Sequence, residues 1–349
     1  MIATPNTLAG VSLAHEGLLH PLMADAPGGR TLPVIDVTHP AFALDESEDA
    51  MAQLRRRADQ LLRQQQTAPK FIIDAFMWFA ARRSILFRTF TNPSGAYLDC
   101  LTTYVLKLGP DNLVPPYSSW FDRYVVDLPP VISIRLRLQQ TARLLAEGLA
   151  PLITTSGDAP LHLLNIGGGP AFDSLNALIL LRRDHPQALE NREISIHILD
   201  PDPKGPDFAK SSLAALQDSG PLNELNINIS HVAYDWRDTS LLTDLLLSLR
   251  PGDPIIAASS EGALFEYGSD ADVIANLSAL RTAVSSFRFI VGSFTRNDTF
   301  SQSNLSFANY RLYPRGADGA GELAAEAGFV VDRVAEALLS DQVRLSPGN

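Results

Sequence analysis

The sequence predicts an α/β protein in which a doubly wound, mostly parallel sheet follows an N-terminal all-helical region. Three observations support this fold class. Beyond residue 160, short β-branched runs alternate with helical patterns, which is typical of parallel sheets covered on both faces. Before that point, the periodic stretches are long and have helical spacing. Three consecutive glycines also follow the first β-branched run, where a doubly wound sheet binds its ligand.

The first region is expected to span residues 1–155 and the second residues 156–349. Residues 1–45 contain several prolines and glycines and little periodicity, which predicts an irregular arm. Helices are then expected over four ranges, which are 47–66 with Ser47 as the N-cap, 70–90, 94–109 and 131–152. The second of these is densely aromatic and too long for a strand, so a buried helix is expected there.

The second region is expected to alternate strands and helices. The strands are expected over 161–166, 194–199, 227–234, 254–259 and 287–294. The helices between them are expected over 173–183, 206–217, 239–249 and 270–286. A late helix that ends at Gly328, followed by another short strand, completes the pattern.

Composition excludes several kinds of protein. The formal charge is -11, and because phosphate binding depends on Lys and Arg, nucleic acid is not expected as a partner. Cys100 is the only cysteine, which excludes an intramolecular disulfide and a cysteine-based zinc cluster and predicts a small buried side chain. No signal peptide, membrane-spanning run or metal-ligand spacing is found, so a cytoplasmic protein without a metal is expected.

The three glycines, Gly167, Gly168 and Gly169, would let a ligand lie close against the main chain. A nicotinamide dinucleotide needs a third glycine of the G-x-G-x-x-G pattern, and Phe172 stands there instead. Asp173 then begins the helix, and its carboxylate would repel a pyrophosphate. The turn therefore favours a nucleotide-like ligand with hydroxyl or ammonium groups and no phosphate.

Four stretches together resemble the class I S-adenosylmethionine-dependent methyltransferases, a family with a Rossmann-like fold. They are LLNIGGGPAFDS, HILDPDP, YDW and IIAASSEGALFEYG, and the resemblance covers about residues 160–335. It implies S-adenosylmethionine as the cofactor and a helical lid over the acceptor, formed by the first region.

The resemblance also implies which residues hold the cofactor. Asn165 and the three glycines would face its methionine part, and Asp200, with Asp202 as second choice, would bind the ribose hydroxyls. The full set implied by the resemblance is Asn165, Gly167, Gly168, Gly169, Asp200, Asp202, Asp235 and Trp236 beside the adenine, and Ser259 and Ser260 near the sulfonium.

Candidate catalytic residues are fewer. Glu261 follows the fourth strand at the expected cleft and is the first candidate for a base, with a pocket-shaping role as the alternative. Tyr117 and Tyr124 lie in the aromatic stretch 115–130, which predicts either a lid or a core helix. Further polar contacts are expected from Tyr97, Asn304, Asn309 or Tyr310.

Several functions share this pattern. The first is methyl transfer to a small-molecule metabolite, as in natural-product biosynthesis. The second is cyclisation of the cofactor itself, which releases methylthioadenosine and forms azetidine-2-carboxylate. The others are a non-catalytic cofactor-binding partner or sensor protein and a nicotinamide-dependent oxidoreductase. A homodimer formed through the helical region is also expected.

Overall fold

The structure, a computed structural model, describes residues 21–91, 99–305 and 312–348. The expected irregular arm instead contains an antiparallel hairpin of β1 (Met23–Ala26) and β2 (Arg30–Pro33). Gly28 and Gly29 turn the chain between them with positive φ. The strands have only four residues each, so their two-residue periodicity is too short to stand out in the sequence.

Helices follow the hairpin, as predicted. They are α1 (Glu48–Thr67), α2 (Lys70–Arg83), α3 (Ile85–Thr91), α4 (Cys100–Leu106), α5 (Trp120–Val126) and α6 (Pro129–Thr155). Ser47 caps α1, since its side chain accepts a hydrogen bond from the Ala50 N–H. The Ser47 prediction is therefore confirmed.

The prediction of one buried helix over 70–90 is wrong in two respects. The helix breaks at Ser84, whose backbone is extended and whose hydroxyl donates to Asp122 at 2.5 Å. Helix α2 also lies at the surface, with Phe71 73% and Trp78 62% exposed and Ala80 its only buried residue. The aromatic residues of α2 are spread over all sides of the helix, so the sequence alone does not indicate which side packs against the protein.

The second region contains the remaining elements. The strands are β3 (Leu161–Ile166), β4 (Ile194–Leu199), β5 (Ile227–Val232), β6 (Ile255–Ser260), β7 (Phe287–Thr295), β8 (Phe329–Glu336) and β9 (Ser340–Pro347). The helices are α7 (Phe172–Asp184), α8 (Lys204–Asp218), α9 (Ser240–Ser248), α10 (Leu264–Tyr267), α11 (Asp270–Ala283), α12 (Thr299–Leu305) and α13 (Gly316–Glu326).

These strands form one seven-stranded sheet in the order β5-β4-β3-β6-β7-β9-β8. The first five are parallel, and β9 pairs antiparallel with both β7 and β8. Strands β4 and β6 are buried along their whole length, which explains their continuous apolar runs. The doubly wound, mostly parallel, Rossmann-like fold predicted from the sequence is confirmed. Strand β9 was not predicted.

The two predicted regions share a hydrophobic core. Helix α6 ends at Thr155, at the predicted boundary, and packs against α7 and against β6, β7 and β9. One hydrophobic cluster contains Leu145 and Leu149 of α6 together with residues of the sheet such as Leu163. This cluster continues across residue 155, so the division of the chain into two regions at that residue stays a prediction.

Candidate active site

The glycine turn joins β3 to α7 in a backbone conformation that favours glycine. Gly167 has φ 67° and Gly169 has φ 58°, both in the left-handed region. A Cβ atom at Gly167 would lie 2.8 Å from the Ala263 Cβ and 2.9 Å from the Trp236 ring. Only a residue without a side chain at position 167 therefore lets the turn approach Ala263 and Trp236 this closely.

A cavity of about 380 Å³ opens at the carboxyl ends of the parallel strands. Residues that follow β3, β4, β5 and β6 line it, together with residues of α4 and α6 from the helical region. The lining residues used below include Asp99, Cys100, Lys107, Arg137, Gly167, Gly168, Gly169, Asp200, Asp202, Trp236, Glu261, Glu266 and Tyr267.

Asp200 follows β4 and lies beside the glycine turn. Its carboxylate accepts the Gly169 N–H at 3.1 Å on one oxygen and the Asp202 N–H at 2.9 Å on the other. Burial raises the pKa of Asp200, and these two N–H groups oppose the shift. Each oxygen keeps a lone pair, so the carboxylate can still accept hydrogen bonds from a ligand in the cavity.

Four charged side chains form a buried cluster in the lining, and we call it the Lys107–Glu266 cluster. It consists of Lys107, Arg137, Glu261 and Glu266. Glu261 pairs with Lys107 and accepts from Arg137 Nε at 2.5 Å, while Arg137 Nη1 donates to Glu266 at 2.9 Å. The two cations and two carboxylates balance, as buried charges require.

The ion pairs decide the state of Glu261. Burial by itself raises the pKa of Glu261, but the charges of Lys107 and Arg137 outweigh burial and hold that pKa below its ordinary value. A carboxylate that already accepts hydrogen bonds from two cations is a weak base. The structure brings Glu261 to the cavity, as predicted, in a form suited to holding the two cations in place.

Asn165 packs beside the glycine turn and does not line the cavity. Its Nδ2 donates to Asp173 at 2.7 Å and to the Ser259 hydroxyl at 3.3 Å, and its amide fills the space beside Gly168. Burial, followed by the charge of Glu261, raises the pKa of Asp173 to about 6.

Other residues expected to hold the cofactor lie elsewhere. Asp235 is exposed and ion-paired with Arg237, so it does not line the cavity, whereas its neighbour Trp236 does. Ser259 is buried behind the lining, and the Ser260 hydroxyl donates to the Ile166 carbonyl at 2.8 Å. The two serines thus join β6 to β3 and α10 instead of facing a ligand.

The structure also places the two candidate catalytic tyrosines outside the lining. Tyr117 is buried, and its hydroxyl accepts from Arg30 of the hairpin at 2.5 Å. The ring of Tyr124 packs against Phe121, 5.7 Å between centroids, with its other face at the surface. Phe121 is buried among aromatic residues, so α5 matches the alternative interpretation as a core helix.

Of the remaining polar candidates, Asn304 is the described one, and it does not line the cavity. Asn304 is buried, and its Nδ2 donates to the Phe300 carbonyl at 2.9 Å. Tyr97, Asn309 and Tyr310 lie outside the described residues.

Lys107 and Arg137, which α4 and α6 bring to the cavity, were not predicted from the sequence. Lys107 directly follows α4, and Arg137 lies in the alternating stretch IRLRL of α6, which resembles an exposed helix face. Cys100 was expected as a small buried side chain, yet it lies in the lining and packs over Gly169. Burial raises the pKa of Cys100 to about 12, which keeps the thiol protonated.

Two absences concern only the part of the chain that the structure describes. None of its helices combines the length and apolar character needed to cross a membrane. Within the same residues, His, Cys, Asp and Glu side chains form no group of three or more that could hold a metal ion.

Comparisons with known proteins reveal similarity in fold. No family model and no curated protein matches the chain. Among solved structures, it is similar to a possible exported protein from Bordetella parapertussis, with 18% identity, a TM-score of 0.53, and coverage of 87% of this chain and 100% of that one.

Two methyltransferase structures match less well. Mitomycin 7-O-methyltransferase has 13% identity and a TM-score of 0.40, with 94% of this chain and 80% of that chain covered. The 1,6-didemethyltoxoflavin-N1-methyltransferase of Burkholderia thailandensis, solved with S-adenosylhomocysteine, has 14% identity and a TM-score of 0.36, with 61% and 79% covered. At identities this low, similarity shows the fold alone.

Proposed function

We propose that this protein is an S-adenosylmethionine-dependent enzyme that transfers a methyl group to a small-molecule metabolite. One observation carries the proposal. A single cavity at the strand ends combines the main chain of Gly167 and Gly169, the carboxylate of Asp200 and the ring of Trp236.

These residues fit the chemistry of the cofactor. Glycine at position 167 lets Ala263 and Trp236 pack directly against the turn, and the main chain of the turn itself lines the cavity, where a ligand can lie against it. The Asp200 carboxylate is an acceptor-only group suited to two ribose hydroxyls, and an aromatic face such as that of Trp236 attracts a sulfonium or stacks on adenine. Asp99 and Asp202 also line this end, where their charge disfavours a ligand with phosphates.

When bound, S-adenosylmethionine supplies an electrophilic methyl group on a positively charged sulfur. The residues of this chain then have three tasks, which are to bind the nucleoside, to orient the acceptor and to exclude water. Positioning of this kind supplies much of the rate acceleration of a bimolecular displacement. Because Glu261 is ion-paired, we assign it to positioning Lys107 and Arg137 instead of to proton removal.

Calorimetric titration with S-adenosylhomocysteine tests the proposal. We expect Asp200→Asn to bind at least tenfold more weakly than the wild type, because an amide replaces one acceptor oxygen with a donor. Asp235→Asn is the matched control, since Asp235 is exposed and pairs with Arg237, and we expect its affinity to be unchanged. Absence of binding to the wild type would remove the proposal.

Product analysis distinguishes methyl transfer from the other reactions. The protein is incubated with S-adenosylmethionine alone and then with candidate acceptors, and the products are identified by mass spectrometry. We expect intact cofactor in the first incubation and S-adenosylhomocysteine with a methylated product in the second. Methylthioadenosine formed without an acceptor would instead indicate cyclisation, and binding without any turnover would indicate a sensor or partner protein.

A further inference from the structure

The Lys107–Glu266 cluster sets three N–H groups of Lys107 and five of Arg137 against four carboxylate oxygens. Each of its four carboxylate oxygens already accepts a hydrogen bond from Lys107 or Arg137. Lys107 uses one of its three N–H groups in these bonds, and Nη2 of Arg137, with two more, forms none with the described residues. Four N–H groups of two cations are therefore available in the lining of the cavity.

The cluster lies away from the nucleoside end of the cavity. Helix α4 begins at Cys100, against Gly169, and Lys107 follows its last residue beside Glu261. Seven residues of helix separate Cys100 and Lys107 by roughly 10 Å. Three carboxylates, of Asp99, Asp200 and Asp202, line the first end, whereas the unused N–H groups of Lys107 and Arg137 lie at the other end.

The backbone makes room for one of the two cations. Gly262 has φ 70°, and a Cβ atom there would collide with Nη2 of Arg137. Ion pairs with Glu261 and Glu266 hold the other nitrogens of the guanidinium. Arg137 is thus fixed in one position, with Nη2 at Gly262, itself a lining residue.

We propose that Lys107 and Arg137 form an oxyanion-binding subsite, which takes a carboxylate or an ionised hydroxyl of the ligand. This inference rests on the proposed function and names the substrate class of the same cavity. Donors on cations form the strong, charge-assisted class of hydrogen bond with an anionic oxygen. A cationic amine would have to share carboxylate oxygens that already accept from Lys107 or Arg137, and it is disfavoured there.

The subsite explains how the reaction proceeds without a base. An ionised oxygen has no proton to lose, so Glu261 is not required to accept one. An electron pair of the ionised oxygen forms the new bond to the methyl carbon. The carbon–sulfur bond breaks at the same time, and the electron pair of that bond returns to sulfur, which becomes a neutral thioether. Hydrogen bonds from the unused N–H groups of Lys107 and Arg137 favour the ionised form of the acceptor before the transfer.

Two ligands could supply the oxyanion, namely the acceptor or the carboxylate in the methionine part of the cofactor. Calorimetric titration with benzoate, and with benzamide as its neutral counterpart, distinguishes them. Each is added to the protein alone, to the protein saturated with S-adenosylhomocysteine and to the protein saturated with methylthioadenosine, which lacks the carboxylate.

We expect the wild-type protein alone to bind benzoate at least tenfold more tightly than benzamide. Lys107→Met should lose this preference, whereas Lys210→Met, which removes an exposed lysine of α8, should keep it. Benzoate binding that persists with S-adenosylhomocysteine assigns the subsite to the acceptor. Binding that S-adenosylhomocysteine blocks and methylthioadenosine permits assigns it to the cofactor carboxylate.

Equal affinity of the wild type for benzoate and benzamide would overturn the subsite, and this comparison depends on no variant. An unchanged preference in a folded Lys107→Met protein, checked by circular dichroism, would also overturn it. If benzoate is preferred but neither adenosyl compound binds, the proposed function fails while the subsite stands.

Discussion

At the scale of the residue, Gly167 joins backbone conformation to ligand binding. Its positive φ favours glycine, and its Cα faces Ala263 and Trp236 across the turn. A methyl group added there would have to displace both neighbours, which are themselves part of the cavity lining. The position is therefore constrained both by the turn and by the ligand site.

We predict that Gly167→Ala weakens binding of S-adenosylhomocysteine more than tenfold, because the new Cβ collides with Ala263 and Trp236. Calorimetric titration measures this. Gly29→Ala is the matched control, with φ 70° but nothing within 4 Å of the added Cβ. It should lose about 1 kcal/mol of stability from backbone strain and keep full affinity. Equal affinities for the two variants would contradict the prediction.

At the scale of the element, a buried arginine fastens the end of α6. Arg192 is 1% exposed and donates to the carbonyls of Ile153, in the last turn of α6, and of Ala188, both at 2.9 Å. It also donates to the carbonyls of Gly157 and Ala159 in the connection to β3. These bonds satisfy carbonyls that the helix end and its loop would otherwise leave unpaired.

We predict that Arg192→Leu lowers the free energy of unfolding by about 3 kcal/mol or more, because buried carbonyls lose their donors. Urea denaturation followed by circular dichroism measures this. Arg183→Leu, which removes an exposed arginine of α7, should change the free energy by less than about 0.5 kcal/mol. A similar small loss for Arg192→Leu would show that water replaces the missing donors.

The exposed aromatic face of α2 bears on the predicted homodimer. A helix with apolar residues on all sides is usually covered, yet Phe71 and Trp78 are exposed in the single chain. We predict that the wild type associates toward twice its mass of 37.9 kDa as its concentration rises, because a second copy covers this face. The double variant Phe71→Glu and Trp78→Glu should stay at the mass of one chain.

Size-exclusion chromatography with light scattering measures that association. Leu241→Glu, which places a charge at an exposed apolar position on α9, should associate like the wild type. A wild-type protein that keeps the mass of one chain at all concentrations would contradict the prediction.

At the scale of the whole molecule, the sheet contains a pair of histidines that link three of its strands. His162 on β3 and His197 on β4 lie 3.1 Å apart between ring nitrogens, and His197 contacts the Ser230 hydroxyl on β5 at 2.8 Å. Burial, followed by the charge of His162, lowers the pKa of His197 to about 4. The unfolded chain, with an ordinary histidine pKa, therefore binds more protons in mildly acid solution.

We predict that a change from pH 7 to pH 5 lowers the free energy of unfolding by up to about 2 kcal/mol through His197, because this residue takes up a proton in the unfolded chain but not in the folded one. The pKa of His197 is depressed in the folded protein. The stability that the neutral His197 contributes is therefore fully present above pH 6.5 and decreases as the pH drops toward 4. Asp173, whose pKa is raised, acts in the opposite direction, so the wild type is compared with His197→Asn. Urea denaturation at the two pH values should give the variant the smaller loss, and equal losses would contradict the prediction.

The sequence predicted the parallel strands well because each is a continuous apolar run between turn residues. The turn of Gly167 and Gly169 was expected at the carboxyl ends of the parallel strands. The family resemblance also implied Asp200 and Trp236, which line the cavity together with the turn. It failed for Asp235, which follows β5 beside Trp236 but points to solvent and pairs with Arg237. Neighbours along a loop can face opposite ways, and local pattern does not fix which of them enters a cavity.

The sequence by itself determined the alternation of parallel strands and helices in the second region and the glycine turn, because these depend on local spacing, hydrophobic periodicity and backbone freedom. Only the tertiary structure brought Lys107 and Arg137 of the helical region to Glu261, the residue that follows β6. Contacts over more than a hundred residues of chain depend on how whole elements pack. The charge state of the cavity, and with it the class of ligand that we propose, was therefore decided by packing.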